Sequence, residues 1–538
     1  YFQGNDPSRW AGSVNGFTSV RYHEVYPGID LHYYVKDGLV KYDFILKANA
    51  DPTQIKLRYN GVDRLEMKNG HVYVYTSVGH AVETAPVSIQ QDGTNVKSKY
   101  KLEGNDVSFE FPLGYNKFQQ LTIDPTLIFS TYSGSTADNF GFTATYDNGG
   151  NMYLGGLVNA SSGAYPTTVG AFQTTWGGGS TTSGTLYPTD MAITKFNADG
   201  TARIYSTYLG GSDNDTPHSM FVNSLGQLVV YGRTYSSNFP TTPGCYDNSY
   251  NLNGDISITV FNADGTGLVG STFVGGLGED GTNGTAEPTL GNDLKRNYAD
   301  DARGEVVCDA NNNIYVASCT FSDNFPVSGG AVQTLYGGAQ DGVTFKLDAS
   351  AANLLYSTYL GGSQADACYS LDLKTSDNTV YVSGGTRSAN FPIAASGGLN
   401  PTYIGGYSDG FVLRLNTAAS AVLNATFLGT DLEDQSYFVK LDVNENVYVA
   451  GTTYGAYPVT PGVYTDPNSG QYITKFPPAL DTIIWSTVVG NGNGEPNLSI
   501  TAFLVDTCEN VYVCGWGGNL FFTPPFQTND MFGMPVTP

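Results

Sequence analysis

The sequence predicts an all-β fold, and three observations support this prediction. The chain has 66 glycines, 38 tyrosines and 25 prolines but only 14% charged residues, a composition typical of short strands joined by tight turns. It lacks the sustained 3.6-residue apolar spacing of an amphipathic helix. One string, YSTYLGG, occurs at 205–211 and again at 356–362, which indicates an internal repeat.

The segment 5–124 is predicted to form a separate, β-sandwich-like domain. Apolar residues alternate in LHYYV, YDFIL, IKLRY, HVYVY and VSFEF, and turns are predicted at KDG, KNG and QDG. Residues 1–4, YFQG, look like the remnant of a cleaved affinity tag. We expect that a native signal peptide was removed at the same place.

Residues 125–538 contain six repeat units, the last of them incomplete. Weaker copies of the repeated string share a threonine about every 60 to 90 residues, at Thr131, Thr207, Thr272, Thr358, Thr426 and Thr487. Each unit continues with a hairpin such as DVNENVYVAG, an aromatic-proline corner such as NFPTTPG and a strand such as DGFVLRLN. Sheets of four short strands arranged around an axis form a β-propeller. In this prediction YSTYLGG is the outer strand and exit turn of a blade.

The fixed order STYLGG, DxxxNVYVxG, NFPxTPG and DGFVxxLN resembles the SBBP family of β-propeller repeats, over about residues 126–538. The segment VYPGIDLHYYVKDGLVKYDFILKANADPTQIKLRY at 25–59 resembles an uncharacterised β-rich domain that often precedes such repeats. The resemblance implies a secreted or cell-surface protein, typically bacterial, and supplies no established catalytic site. The family name implies seven blades, whereas six units are visible in this chain.

Charge and composition limit the partners. The formal net charge is −24, which argues against nucleic acid and anionic membrane surfaces, because phosphates are bound by clustered Lys and Arg. No apolar run reaches the roughly 18 residues of a membrane span, so membrane insertion is not expected. The expected ligand is a glycan or a surface protein, and a monomer is favoured over an oligomer.

One polar position recurs with the repeat. Five residues after the first glycine of each STYxG segment stand Asn139, Asp215, Asp280, Asp366, Asp434 and Glu495. One interpretation is that each side chain accepts hydrogen bonds from its own turn. The other is that the five carboxylates form a ring that binds Ca²⁺, which takes about six to eight oxygen ligands. No other cofactor is expected.

The cysteines and one long insertion leave alternatives open. Cys308/Cys319 and Cys508/Cys514 flank predicted hairpin turns, and each pair is interpreted either as a cross-strand disulfide or as free thiols. The longest interruption of the repeat, residues 278–305, is interpreted either as a recognition loop or as a solvated insertion.

The sequence favours an extracellular or cell-surface module for binding or adhesion over an enzyme, because GxSxG and HExxH are absent. Two alternatives stay open. The first is a carbohydrate-active enzyme, a glycoside hydrolase or lyase, that uses acidic residues near the propeller axis. The second is a structural spacer of a larger surface protein, since a fold alone does not define a function.

Overall fold

The computed structural model describes most of the chain. The described residues are 19–36, 39–60, 62–68, 70–76, 79–83, 85–124, 135–161, 163–180, 188–198, 200, 202–284, 294, 301, 303–392, 397–507 and 509–516. Contacts divide the chain into a first unit (Tyr1–Gly134, Tyr146–Met152, Lys195–Ile204) and a second unit (Ser135–Thr145, Tyr153–Thr194, Tyr205–Pro538). The predicted domain boundary at 124/125 adjoins residues outside the described ranges and stays a prediction.

The described part of the first unit contains three antiparallel sheets. Its strands are β1 (Ser19–Tyr26), β2 (Ile29–Lys36), β3 (Leu39–Leu46), β4 (Leu57–Arg58), β5 (Arg64–Lys68), β6 (His71–Thr76), β7 (Gly79–Glu83), β8 (Val87–Gln90), β9 (Asn95–Val96), β10 (Lys99–Glu103), β11 (Asp106–Glu110) and β12 (Leu121–Asp124). They pair in the orders β1-β2-β3-β12-β8-β9, β10-β11-β4 and β5-β6-β7. Phe44, Val72 and Phe109, one from each sheet, belong to a single hydrophobic core, as in a sandwich-like domain.

In the described residues the repeats form five four-stranded sheets and one two-stranded sheet, each with its strands in chain order. The first two sheets are β13 (Asp138–Tyr146), β14 (Met152–Asn159), β15 (Asp190–Phe196), β16 (Arg203–Leu209), and β17 (Asp215–Val222), β18 (Leu228–Thr234), β19 (Asp255–Phe261), β20 (Leu268–Val274). The next two are β21 (Glu305–Cys308), β22 (Ile314–Thr320), β23 (Asp341–Leu347), β24 (Leu354–Leu360), and β25 (Asp366–Lys374), β26 (Thr379–Thr386), β27 (Asp409–Leu415), β28 (Val422–Leu428). The last two are β29 (Asp434–Leu441), β30 (Val447–Thr453), β31 (Gln471–Phe476), β32 (Trp485–Val489), and β33 (Ser499–Val505), β34 (Val511–Trp516).

Successive sheets of the repeats pack face to face. The second and third sheets share one core, and the third and fourth share the next. Tyr231, Tyr315 and Tyr381 are fully buried in these interfaces, so the strand tyrosines serve in packing. The first strands β17, β21, β25, β29 and β33 lie side by side. This arrangement confirms the all-β, propeller-like fold, with YSTYLGG in the last strand of its sheet.

The described residues contain no helix of the length and apolarity that a bilayer crossing requires.

The predicted hairpin turns are built around an aspartate. Asp309 Oδ1 accepts hydrogen bonds from the amides of Asn311 and Asn313, both at 2.9 Å. Lys346 Nζ from the next strand lies 3.2 Å from Asp309 Oδ2. The carboxylate therefore fixes the turn and ties it to the strand beside it.

The cross-strand disulfide considered for Cys308 and Cys319 is wrong, because both thiols are free. Cys308 pairs with Ile314 at the turn end of the β21–β22 hairpin, whereas Cys319 lies at the far end of β22, opposite Gly342. Cys514 is also free, and its predicted partner Cys508 lies outside the described residues.

Candidate functional site

Each outer strand is joined along its edge to the aromatic-proline corner of its own sheet. In the third sheet the Gln333 amide donates to Thr358 Oγ1, and Thr358 Oγ1 donates to the Gln333 carbonyl, both at 3.0 Å. The Phe325 ring packs on Tyr359 with centroids 6.2 Å apart. The threonine and second tyrosine of YSTYLGG therefore attach the corner to the strand and cover a sheet edge.

The glycines of the repeated string lie against carboxyl groups. A Cβ on Gly275 would stand 2.3 Å from Asp255 Oδ1 and 2.8 Å from Asp280 Oδ2. The amide of Gly276 donates to Asp280 Oδ2 at 2.7 Å. The first glycine is therefore needed because two carboxyl groups occupy the space of a side chain, and the second supplies a hydrogen-bond donor.

This pairing of carboxyl groups recurs at four junctions between sheets. An aspartate that begins the third strand of one sheet faces an aspartate that follows the repeated string at the entry to the next sheet: Asp190 faces Asp215, Asp255 faces Asp280, Asp341 faces Asp366, and Asp409 faces Asp434. All eight residues are fully buried. Burial, followed by the charge of the partner, raises the pKa of Asp190 to about 8 and that of Asp255, Asp341 and Asp409 to about 7.

Four of the predicted ring residues occupy equivalent places, where each accepts a hydrogen bond from a backbone amide of its own turn. These contacts are Gly211 to Asp215 at 2.8 Å, Gly276 to Asp280 at 2.7 Å, Gly362 to Asp366 at 2.6 Å, and Thr430 to Asp434 at 2.6 Å. A serine hydroxyl of the next hairpin adds a donor at three of them. Within the described ranges, no group of three or more His, Cys, Asp or Glu side chains is placed to hold a metal ion.

Glu495, predicted as a member of the same ring, does not occupy the equivalent place. Asn497 does, because its Oδ1 accepts the amide of Asn491 at 2.9 Å. The turn after Gly490 is longer than in the other units, so a count of five residues ends on an exposed glutamate. In the first unit Asn139 Nδ2 donates to the Ala137 carbonyl at 3.0 Å instead.

The third-strand aspartates were missed by the sequence analysis. A signal was present, because the third strands of the first four units each begin with Asp, and the first strands β17, β25 and β29 do so too. What the repeat does not reveal is that these two positions meet across a junction between sheets.

The insertion 278–305 enters the interior of the second unit. Leu294 is fully buried in a cluster with Tyr369. Asn283 Nδ2 donates to the Tyr369 hydroxyl at 3.2 Å, which donates to Gln435 Oε1 at 2.7 Å, and Gln435 Nε2 donates to the Leu294 carbonyl at 3.0 Å. The interpretation as a solvated insertion is therefore wrong for its described residues.

Arg303 anchors the end of this insertion. Its guanidinium lies 3.6 Å from the centre of the Tyr437 ring, and its Nη1 donates to the Ile500 carbonyl at 3.1 Å. Because Tyr437 belongs to β29 and Ile500 to β33, the arginine reaches across the interior from the third unit to the fifth and sixth. Part of the space that an axial active site would use is filled by the chain itself.

Two acids on the first strands lie beside a lysine. Glu305 forms an ion pair with Lys440 and also accepts the Leu371 amide at 3.2 Å. Asp372 Oδ2 accepts the Leu441 amide at 2.8 Å. Burial raises the pKa of Asp372, and the charge of Lys440 opposes this effect. Both acids are thus bonded to neighbouring strands.

An open cleft of about 480 Å³ lies in the first unit. It is bounded by the 3₁₀ turn Pro52–Gln54, by β10 and β11, and by the segment that follows β11. Besides Pro52, Thr53, Pro112 and Gly114, its lining consists of aromatic and charged residues: Phe109, Glu110, Phe111, Tyr115, Lys99 and Lys117. Burial raises the pKa of Tyr115, so its hydroxyl stays protonated at neutral pH.

The segment after β11 is held in place by its backbone. Gly114 adopts a φ of +68° and donates its amide to the Phe111 carbonyl at 2.9 Å, which closes a tight turn. The Lys117 carbonyl accepts the Asn49 amide at 2.7 Å. The same segment exposes Leu113 and Phe118, each 81% accessible.

Comparison with known proteins adds one family match. Residues 1–126 match the model of a domain of unknown function, DUF7948. No curated protein matches the chain.

Several solved structures resemble the chain at low identity. Chaetomium thermophilum Sqt1 is 10% identical, with a TM-score of 0.33 over 91% of each chain. A PL25 ulvan lyase described as a polysaccharide lyase is 10% identical, with a TM-score of 0.34 over 86% of this chain and 96% of its own. A mutant of NanB sialidase from Streptococcus pneumoniae is 8% identical, with a TM-score of 0.29 over 75% of this chain and 68% of its own. Likenesses of this size carry no argument about function, so the inferences below rest on the chain's own geometry.

Proposed function

We propose that the chain is an extracellular, non-enzymatic binding module that holds a glycan in the cleft of its first unit. The observation that carries this proposal is the cleft itself. The rings of Phe111 and Tyr115, with centroids 5.0 Å apart and planes at 58°, stand beside Lys99 and Lys117. A volume of about 480 Å³ lies within the range of small-ligand sites. Aromatic rings offer apolar faces to sugar rings, and lysines donate hydrogen bonds to hydroxyl oxygens.

The charges of the cleft favour a neutral glycan. Lys99 Nζ lies 2.8 Å from Glu110 Oε2, and the charge of Lys117 acts on Asp51 at the rim. Both signs of charge are therefore present, and hydroxyl groups can donate to one and accept from the other. A strongly anionic polymer would meet these acids as well as the lysines, which weakens the case for such a ligand.

The second unit supports binding over catalysis. A catalytic carboxyl group must reach its substrate, yet the eight paired aspartates, whose pKa values are raised as in catalytic acids, are fully buried. The sheets then serve as a rigid scaffold. The resemblance of the repeats to the SBBP family supports a secreted or surface location, and with it a glycan or surface-protein partner.

The proposal is tested by glycan-array screening of the purified chain, followed by calorimetric titration of the best neutral oligosaccharide. Tyr115→Ala should weaken binding about tenfold or more, because it removes one of the two rings. Phe118→Ala is the matched control, since Phe118 is exposed but does not line the cleft, and should bind normally. Lys117→Ala, with an exposed side chain, gives a second variant in case Tyr115→Ala is unstable.

Other outcomes favour the alternatives. Release of shorter sugars from a polysaccharide would identify a carbohydrate-active enzyme. If no glycan on the array binds the protein, the glycan proposal is overturned. The chain would then be a structural spacer or a module that binds a surface protein.

A further inference from the structure

The four aspartate pairs contain carboxyl oxygens that receive no hydrogen bond from any described residue. At each pair the third-strand aspartate uses Oδ2 to accept a backbone amide, as Asp255 does from Asn251 at 2.8 Å. Oδ1 of Asp190, Asp255, Asp341 and Asp409 is buried and has no partner, and the same holds for Oδ1 of two facing aspartates, Asp215 and Asp434. A buried carboxylate oxygen in that state is strongly unfavourable, so something must neutralise it.

We propose that each pair is a proton-binding site, in which the third-strand aspartate carries a proton on Oδ1 and shares it with the facing aspartate. The geometry of the second pair supports this assignment. Asp255 Oδ1 and Asp280 Oδ2 both lie within 3 Å of the point where a Cβ on Gly275 would stand. Both oxygens of Asp280 already accept hydrogen bonds, from Gly276, Ser322 and Thr320, whereas Asp255 Oδ1 accepts none and is therefore the oxygen assigned the proton.

The surroundings favour a proton over a cation. The backbone N–H of Gly276 points at Asp280 Oδ2, and its positive end would oppose a metal ion bound to the same oxygen. The titratable groups that act on this pair are acids, phenols and a thiol: Asp247, Glu279, Tyr250, Tyr336, Tyr359 and Cys319. Arg233 contacts Glu279 at 3.2 Å, so its charge is engaged beside the pair.

The fifth junction lacks both carboxyl groups. There Gly470 stands at the place of the third-strand aspartate, because its carbonyl accepts the amide of Thr453 at 2.9 Å, and Asn497 takes the place of the facing aspartate. The next residue, Gln471, accepts the amides of Asn497 and Leu498 at 2.5 and 2.8 Å when its amide is oriented to satisfy both ends. The junction that has no aspartate pair is thus closed by neutral groups, which is the arrangement expected if the aspartate pairs also carry less than two full charges.

Two isosteric variants of one pair test the proposal. Asp255→Asn places an N–H where the proton is assigned, so its melting temperature should equal or exceed that of the wild type at pH 8. Asp280→Asn replaces one acceptor oxygen by an NH2 group, which then faces at least one of the three donors, so it should lower the melting temperature at every pH. At pH 6 the unfolding of Asp255→Asn should release about one proton fewer than that of the wild type.

The wild-type protein gives an independent readout, which does not depend on a variant folding. Its infrared spectrum at pH 7 should contain the C=O stretch of an un-ionised carboxylic acid, and Asp255→Asn should reduce that band. Equal destabilisation by both variants, or a spectrum without the band, would overturn the proposal. So would a rise in melting temperature with Ca²⁺ that a chelator reverses, since that result assigns the pairs to calcium.

Discussion

Replacing Gly361 by alanine should destabilise the second unit, because Gly361 is the first glycine of YSTYLGG and its Cβ would stand 2.3 Å from Asp341 Oδ1 and 2.5 Å from Asp341 Cγ. The carboxyl group would have to move by about 1 Å to reach an ordinary contact distance. That shift would break its hydrogen bonds from the Gly337 amide at 2.7 Å and from Gln333 Nε2 at 3.1 Å. Overpacking lowers the free energy of unfolding by about 1–3 kcal/mol, and the loss of the two hydrogen bonds lowers it by a similar amount.

The melting temperature, measured by calorimetry at pH 7, should therefore fall by about 5 °C or more for Gly361→Ala. Gly329→Ala is the matched control, because a Cβ there meets nothing within 4 Å and its backbone is not in the left-handed region. Gly361→Ala is also made in the Asp341→Ala variant, which completes a double-mutant cycle. There the loss in the free energy of unfolding caused by Gly361→Ala should be smaller by about 1 kcal/mol or more. An equal penalty in both backgrounds, or a harmless Gly361→Ala, would refute the steric argument.

Three further predictions follow from contacts described above. Thr358→Val should lower the free energy of unfolding by about 1–2 kcal/mol in urea titrations, whereas Thr482→Val, at an exposed site, should leave it unchanged. A water-soluble thiol reagent should label the exposed Cys514 well before the buried Cys319, as read by mass spectrometry of peptides. Burial acts to raise the pKa of Asp309, but hydrogen bonds and an ion pair hold it below its ordinary value, so its stabilisation is present at neutral pH and lost as the pH falls below about 4. Asp309→Asn should therefore cost less stability at pH 3 than at pH 7 in thermal melts.

The pH dependence of the paired aspartates has the opposite sign. Their folded-state pKa values are raised above those of an unfolded chain, so the folded state holds protons that the unfolded state releases. Their contribution to stability is complete below about pH 4 and is lost as the pH rises through about 7. Melting curves from pH 4.5 to pH 8.5 should show this fall, and a flat profile in that range would contradict it.

The sequence was informative where the structure is set by neighbours along the chain. Alternating apolar residues and Asp/Asn-rich turns define hairpins locally, so the strands around Asp309 and the outer strand that holds Thr358 were placed correctly. The recurrence of the same order of strands then predicts stacked sheets, because one sheet alone leaves both faces exposed.

The remaining features depend on residues that meet only after folding. Asp255 and Asp280 are separated by the β19–β20 hairpin and the turn after it, and the sequence does not show that they meet until two sheets pack together. The cleft joins Pro52, Lys99 and Tyr115 from distant parts of the chain. The charged residues of the insertion suggested solvent exposure, whereas Leu294 and the contacts of Arg303 draw its described residues inside.

The corner that covers the rim of each outer strand has a consequence for how such arrays evolve. Because the covering segment is encoded between the second and fourth strands of the same unit, a duplicated unit brings its own protection with it. When whole units are duplicated or lost, no new unpaired edge strand is therefore exposed. The number of units can change without creating a new site for aggregation.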